Sequence, residues 1–139
     1  MRSETKYIVI HCSATPPNMD IGAEEIDRWH KDRGWSGIGY HDVIRRNGAL
    51  ELGRDENAVG AHVKGHNKHS VGICLVGGVD DNKKPEDNFT QEQYNTLRRC
   101  LRYYKALFPG AMILGHNELD SGKACPSFAV QTWKSNNNF

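Results

Sequence analysis

An α/β fold is the expectation for this chain: one central mixed β-sheet with helices on both faces. Three observations predict it. Short apolar segments alternate along the sequence with amphipathic stretches of helical period. The segments "KYIVIHC" and "SVGICLVGG" are apolar at nearly every position, as strands are when a sheet is covered on both sides. One stretch, "YHDVIRRNGALELG", reads instead as a hairpin, which puts an antiparallel pair into the sheet. The chain has 139 residues, with no internal repeat and no linker, so residues 1–139 are expected to form a single domain.

The first strand is "KYIVIHC". Alternation puts Tyr7, Val9 and His11 on one face and Ile8, Ile10 and Cys12 on the other. A helix over 23–33 follows, with Ile26 and Trp29 on its inner side and Gly34 as its stop. The hairpin comes next, with Asn47-Gly48 at its turn. "SVGICLVGG" is a buried strand ended by glycines, and the charged "VDDNKKPEDN" after it reads as a surface loop.

The clearest helix covers 91–108. Thr90 and Gln93 make a capping box, and Phe89 is placed to staple against Tyr94. Tyr94, Leu97, Leu101, Tyr104 and Phe108 form its inward stripe, and Pro109-Gly110 ends it. "GAMILGH" is a short strand. A last helix is expected to start near Pro126 and to carry Phe128 and Trp133.

Composition narrows the function. The formal net charge is +1, which gives no reason to expect a nucleic-acid partner or a membrane-surface binder. No run is long enough to insert into a membrane, and "YIVI" in the polar "MRSETKYIVIHC" is too short for a signal-peptide core. The expected starting compartment is therefore the cytoplasm. Cys12, Cys74, Cys100 and Cys125 are few and irregularly spaced, which in a reducing compartment reads as thiols or metal ligands rather than disulfides.

Three residues stand where strands end and loops begin, the place where α/β sheets gather their functional groups. His11 ends the first strand, His116 ends the strand near the C-terminus, and Cys125 follows nine residues later. Two imidazoles and a thiolate suit zinc, and three protein ligands leave a fourth position for water, the pattern of a catalytic rather than a structural site. The chain has seven histidines, and any one alone reads as a surface or hydrogen-bonded residue. No HExxH or paired CxxC accompanies the trio.

The segments "YIVIHCSAT", "GWSGIGYHDVIRRNG", "GRDENAVGAHVKGHN", "SVGICLVGG" and "KACPSF" together resemble the zinc-dependent N-acetylmuramoyl-L-alanine amidases. The likeness is nearest to the small lysozyme-amidases, or endolysins, of short-tailed phages, and more distant to bacterial amidases and animal peptidoglycan recognition proteins. It runs in order from about residue 6 to residue 133. The resemblance implies one zinc ion per chain, held by His11, His116 and Cys125, with Tyr40 and Lys123 as the essential catalytic pair. It also implies peptidoglycan as substrate and host lysis as outcome. Cleavage would fall between the muramic acid lactyl group and L-alanine, after another protein has opened the membrane. The segment 61–70 reads either as a hydrated loop or as part of the cleft rim, and His62, within a family-like "VGAH", is the candidate substrate-binding residue of the second reading. Two departures lie beside the metal ligands. Asn117 stands where phage relatives often carry a second histidine, and the segment from His116 to Lys123 is one residue longer.

Two rival readings accompany this one. Some animal relatives are wall-binding modules without catalysis, but they typically lack the zinc cysteine that Cys125 supplies. The phage relatives also inhibit their own RNA polymerase, so that polymerase is a second candidate partner. Nothing in the sequence calls for an oligomer, and a monomer is expected. Glu118 is placed to bond a ligand histidine, although an acid on a polar turn is more simply structural. Alternation turns the Cys12 side chain away from His11 and so out of the site. Cys74 and Cys100 read as packing residues.

Overall fold

A computed structural model describes all residues, Met1–Phe139. Five strands, β1 (Tyr7–Cys12), β2 (Asp42–Ile44), β3 (Leu50–Leu52), β4 (Ser70–Leu75) and β5 (Met112–Gly115), form one sheet in the order β3-β2-β4-β1-β5. β1 pairs in parallel with β4 and β5, β2 pairs in parallel with β4, and only the β2–β3 hairpin is antiparallel. The mixed sheet is thus the one the sequence predicts. Because β4, β1 and β5 are parallel, their C-terminal ends lie side by side. The register sets His11 opposite Cys74 and Ile10 opposite Gly115, so the chain leaves β1 and β5 at the same edge.

Helices α1 (Ala23–Asp32), α2 (Gln91–Leu107), α3 (His116–Leu119) and α4 (Val130–Asn136) complete the fold. Strand alternation sorts the core into two layers. Ile8, Ile10, Ile44, Val71, Ile73 and Leu75 pack with Leu97, Leu101 and Tyr104 of α2 and Val130 of α4. The opposite face sets Val43 and Cys74 against Ile26 of α1, with Trp29 and Tyr40 packed alongside. His11 stands on this second face, in register with Cys74.

α2 starts as its capping box requires. Thr90 Oγ1 accepts from the Gln93 N–H at 3.1 Å, and Gln93 Oε1 accepts from the Thr90 N–H at 2.9 Å. The Gln93 amide then donates to Ile44 C=O at 3.2 Å and Val76 C=O at 2.8 Å, which ties the helix to the ends of β2 and β4. Phe89 meets Tyr94 with ring centroids 6.0 Å apart, the expected staple. Burying Leu97 and Leu101 completely contributes about 1.5–3 kcal/mol each.

Local geometry departs from the sequence expectation at three points. The hairpin strands are short, and the chain turns over residues 45–49 with Gly48 alone of these at a left-handed φ, +87°. The last helix begins at Val130, after Ser127 at a φ of +70°, which no right-handed helix accommodates, and an extended Ala129. A single helical turn, α3, forms directly after β5, where only a turn-rich stretch is expected.

Candidate metal centre

His11 is carried by β1 and is 1% exposed. His116 is the first residue of α3, immediately beyond β5, and is half-buried. Cys125 lies further along the loop. The Asn117 N–H donates to Cys125 C=O at 2.9 Å, and this bond returns the loop to the end of β5. Between them the chain closes two tight turns, Asp120 N–H to His116 C=O and Lys123 N–H to Asp120 C=O, both 3.0 Å. One ligand atom from each of His11, His116 and Cys125 falls within 4.8 Å of the other two. They form the only cluster of three or more His, Cys, Asp or Glu donors in the chain that converges in this way.

The geometry fits a small divalent cation. His11 Nδ1 lies 3.8 Å from Cys125 Sγ. Tetrahedral bonds of about 2.0 Å to nitrogen and 2.3 Å to sulfur require roughly 3.5 Å between such a pair. Burial, then the neighbouring His62, His116 and His41, hold the His11 pKa well below the usual imidazole value, so the ring is neutral and able to ligate. Burial lowers His116 likewise. The neighbouring Cys12 thiol and burial push the Cys125 thiol up. Its thiolate therefore needs a nearby positive charge, which a dication supplies. The Cys12 N–H donates to Cys125 Sγ at 3.1 Å, further stabilising negative charge on that sulfur.

Tyr40 packs its ring on His11 with centroids 5.1 Å apart. Burial, then the Cys74, Cys125 and Cys12 thiols, push its phenol well above the ordinary value, so it stays protonated. Lys123 is exposed on the loop, two residues before Cys125, and its charge contributes to lowering the His116 pKa. His11, His116, Cys125 and the Tyr40 ring therefore gather where β1 and β5 end, and Lys123 lies on the loop that carries Cys125.

The chain matches the family model described as N-acetylmuramoyl-L-alanine amidase over residues 1–128. The chain belongs to the N-acetylmuramoyl-L-alanine amidase family. It is 50% identical to the endolysin of Klebsiella phage KP32 over 136 residues, which cover 98% of this chain and 89% of the relative. Among solved structures it is similar to an endolysin amidase from Clostridium intestinale, with a TM-score of 0.82 and 33% identity over 97% of this chain and 84% of the other. Drosophila PGRP-LB is a more distant likeness, with a TM-score of 0.74 and 26% identity over 88% and 75% of the two chains.

His62 departs from its sequence reading, Glu118 follows the structural one, and Cys12 adds a contact that the sequence does not suggest. His62 does not sit on an open rim. It is 8% exposed and lies behind His11, with His62 Nδ1 2.8 Å from His11 Nε2. Glu118 accepts from the Gln131 amide at 3.0 and 3.2 Å and touches neither ligand histidine, the structural alternative for that acid. Cys12 does turn its side chain from His11, yet its main-chain N–H reaches Cys125. The only sequence signal for that contact is its place beside a ligand. Two cavities, of about 720 and 680 Å³, lie elsewhere, against β5 and α4 and between the hairpin and α2.

Proposed function

We propose that the chain is an endolysin that uses one zinc ion, held by His11, His116 and Cys125, to hydrolyse the amide between N-acetylmuramic acid and L-alanine in peptidoglycan. The observation that carries the reading is the convergence of two neutral imidazoles and one cysteine in a chain that belongs to this amidase family. A zinc ion there supplies a Lewis acid and lowers the pKa of a bound water to about 7.

The chain's own residues have separable tasks. The amide carbon becomes tetrahedral when attacked, and negative charge develops on its oxygen. Lys123 is tethered two residues from Cys125, and its ammonium is assigned to that oxygen. Tyr40, protonated and packed on His11, is assigned to hydrogen-bond the reacting oxygens rather than to act as a base. With its sulfur engaged as a metal ligand, Cys125 would not serve as a nucleophile. The presence of Cys125 beside both histidines also favours catalysis over simple wall binding.

No helix of the chain is long and apolar enough to cross a membrane. The proposal includes release to the wall by a separate membrane-opening protein. The test is digestion of purified peptidoglycan with mass spectrometry of the fragments. New L-alanine amino termini that vanish with a chelator and return with zinc support the reading. New reducing sugar ends with intact stem peptides would overturn it.

A further inference from the structure

We infer that His62 is a positioning residue for the metal ligand His11: it accepts the His11 Nε2 proton and so fixes the tautomer whose bare Nδ1 faces the cation. The inference rests on the metal reading above and adds a residue that this reading does not use.

The proton positions follow from the far end of a buried chain. The His66 carbonyl oxygen can only accept. Ser70 Oγ lies 2.7 Å from it and therefore donates its single proton there. That leaves Ser70 Oγ only as an acceptor toward His62 Nε2, 3.3 Å away, so His62 carries its proton on Nε2. In a neutral ring Nδ1 is then bare. His11 Nε2, 2.8 Å from it, must supply the proton of that bond, and His11 Nδ1 is left without one. Nδ1 is the atom 3.8 Å from Cys125 Sγ. One backbone carbonyl thus sets two tautomers in sequence, and the last of them is the ligating one.

The site is built to hold this ring. A Cβ on Gly72 would stand 2.7 Å from His62 Cγ and Nδ1, and one on Gly60 would stand 2.7 Å from His62 Cδ2. Both positions must lack a side chain for the imidazole to fit. Asn67 Oδ1 accepts from the main-chain N–H of His62 at 2.8 Å and of Val63 at 2.9 Å, which fixes the backbone from which the ring projects. Both ring nitrogens are engaged and the residue is 8% exposed, so no polar atom of His62 is free to read a sugar or a stem peptide.

The test compares zinc affinity, by chelator competition, in the parent, His62→Leu and His62→Asn, and reads the His11 tautomer in the zinc-loaded parent by long-range ¹H–¹⁵N NMR. The Asn side-chain oxygen stands where Nδ1 was and restores an acceptor. The expected spectrum has His11 protonated at Nε2. The expected affinity falls by about 10–100-fold in His62→Leu, and most of the loss is recovered in His62→Asn. A His11 proton on Nδ1, or a folded His62→Leu that binds zinc as the parent does, would overturn this inference and leave the amidase reading standing. Should His62→Leu not fold, the parent spectrum decides alone. A parent that binds no zinc would sink the metal reading, and this inference with it.

Discussion

Replacing Lys123 with alanine separates chemistry from folding more cleanly than any other single change at the site. The side chain is exposed and makes no ion pair or hydrogen bond within the chain; only its main-chain N–H is used, on Asp120 C=O at 3.0 Å. Truncation at such a position leaves stability within about 0.5 kcal/mol of the parent. It leaves the metal ligands in place as well, because the loop is closed by main-chain bonds from Asn117, Asp120 and Lys123. On the proposed role, what is lost is one cation near the developing oxyanion. Removal of a single oxyanion donor costs about 10²–10³ in kcat, and an ammonium reached by solvent belongs at the lower end, about 10². The assay is the release of L-alanine amino termini from peptidoglycan at saturating substrate, with zinc content and thermal midpoint measured on the same preparation. An interaction made only in the transition state lowers kcat and kcat/KM together. Parent-like kcat in a zinc-loaded, folded variant would refute the assignment of Lys123 to the oxyanion.

Cys125→Ala should lose zinc under dialysis and lose wall hydrolysis with it, as metal analysis and the same digestion assay will show; retained stoichiometric zinc would contradict the ligand role. Leu101→Ala removes a fully buried side chain between α2 and the sheet and should cost about 2–5 kcal/mol in urea unfolding without altering zinc content. His41 gives a pH prediction. Burial lowers its pKa to about 4, with Nδ1 accepting from the Gly72 N–H at 3.0 Å and Nε2 facing Ala58 C=O at 2.9 Å. The unfolded ring takes up a proton near pH 6.5 and the folded ring does not, so stability falls as pH drops from about 6.5 to 4, by up to about 3 kcal/mol from this group. His41→Gln should flatten urea midpoints across that interval, and unchanged slopes would contradict the burial argument.

Much of the sheet was legible because its signals are local. Period-two alternation in residues 7–12 sorts Ile8 and Ile10 from His11, and the Thr90–Gln93 pair marks the start of α2 within the sequence itself. The convergence of His11, His116 and Cys125 was legible because each stands beside a strand end or a turn. The place of His62 was not, because it depends on Gly60, Gly72 and Ser70 meeting across separate segments. The late start of α4 goes with the left-handed φ at Ser127, which no residue type there announces. Cys12 meets Cys125 through its main-chain N–H and its thiol, and alternation along β1 says nothing of a loop that comes back from beyond β5.

X-ray absorption at the zinc edge on purified, zinc-dialysed protein tests the central claim most directly. The account predicts one zinc per chain, bound by two nitrogens at about 2.0 Å and one sulfur at about 2.3 Å, with a light fourth ligand. A spectrum without sulfur, or protein that retains no zinc after removal of excess metal, would contradict it.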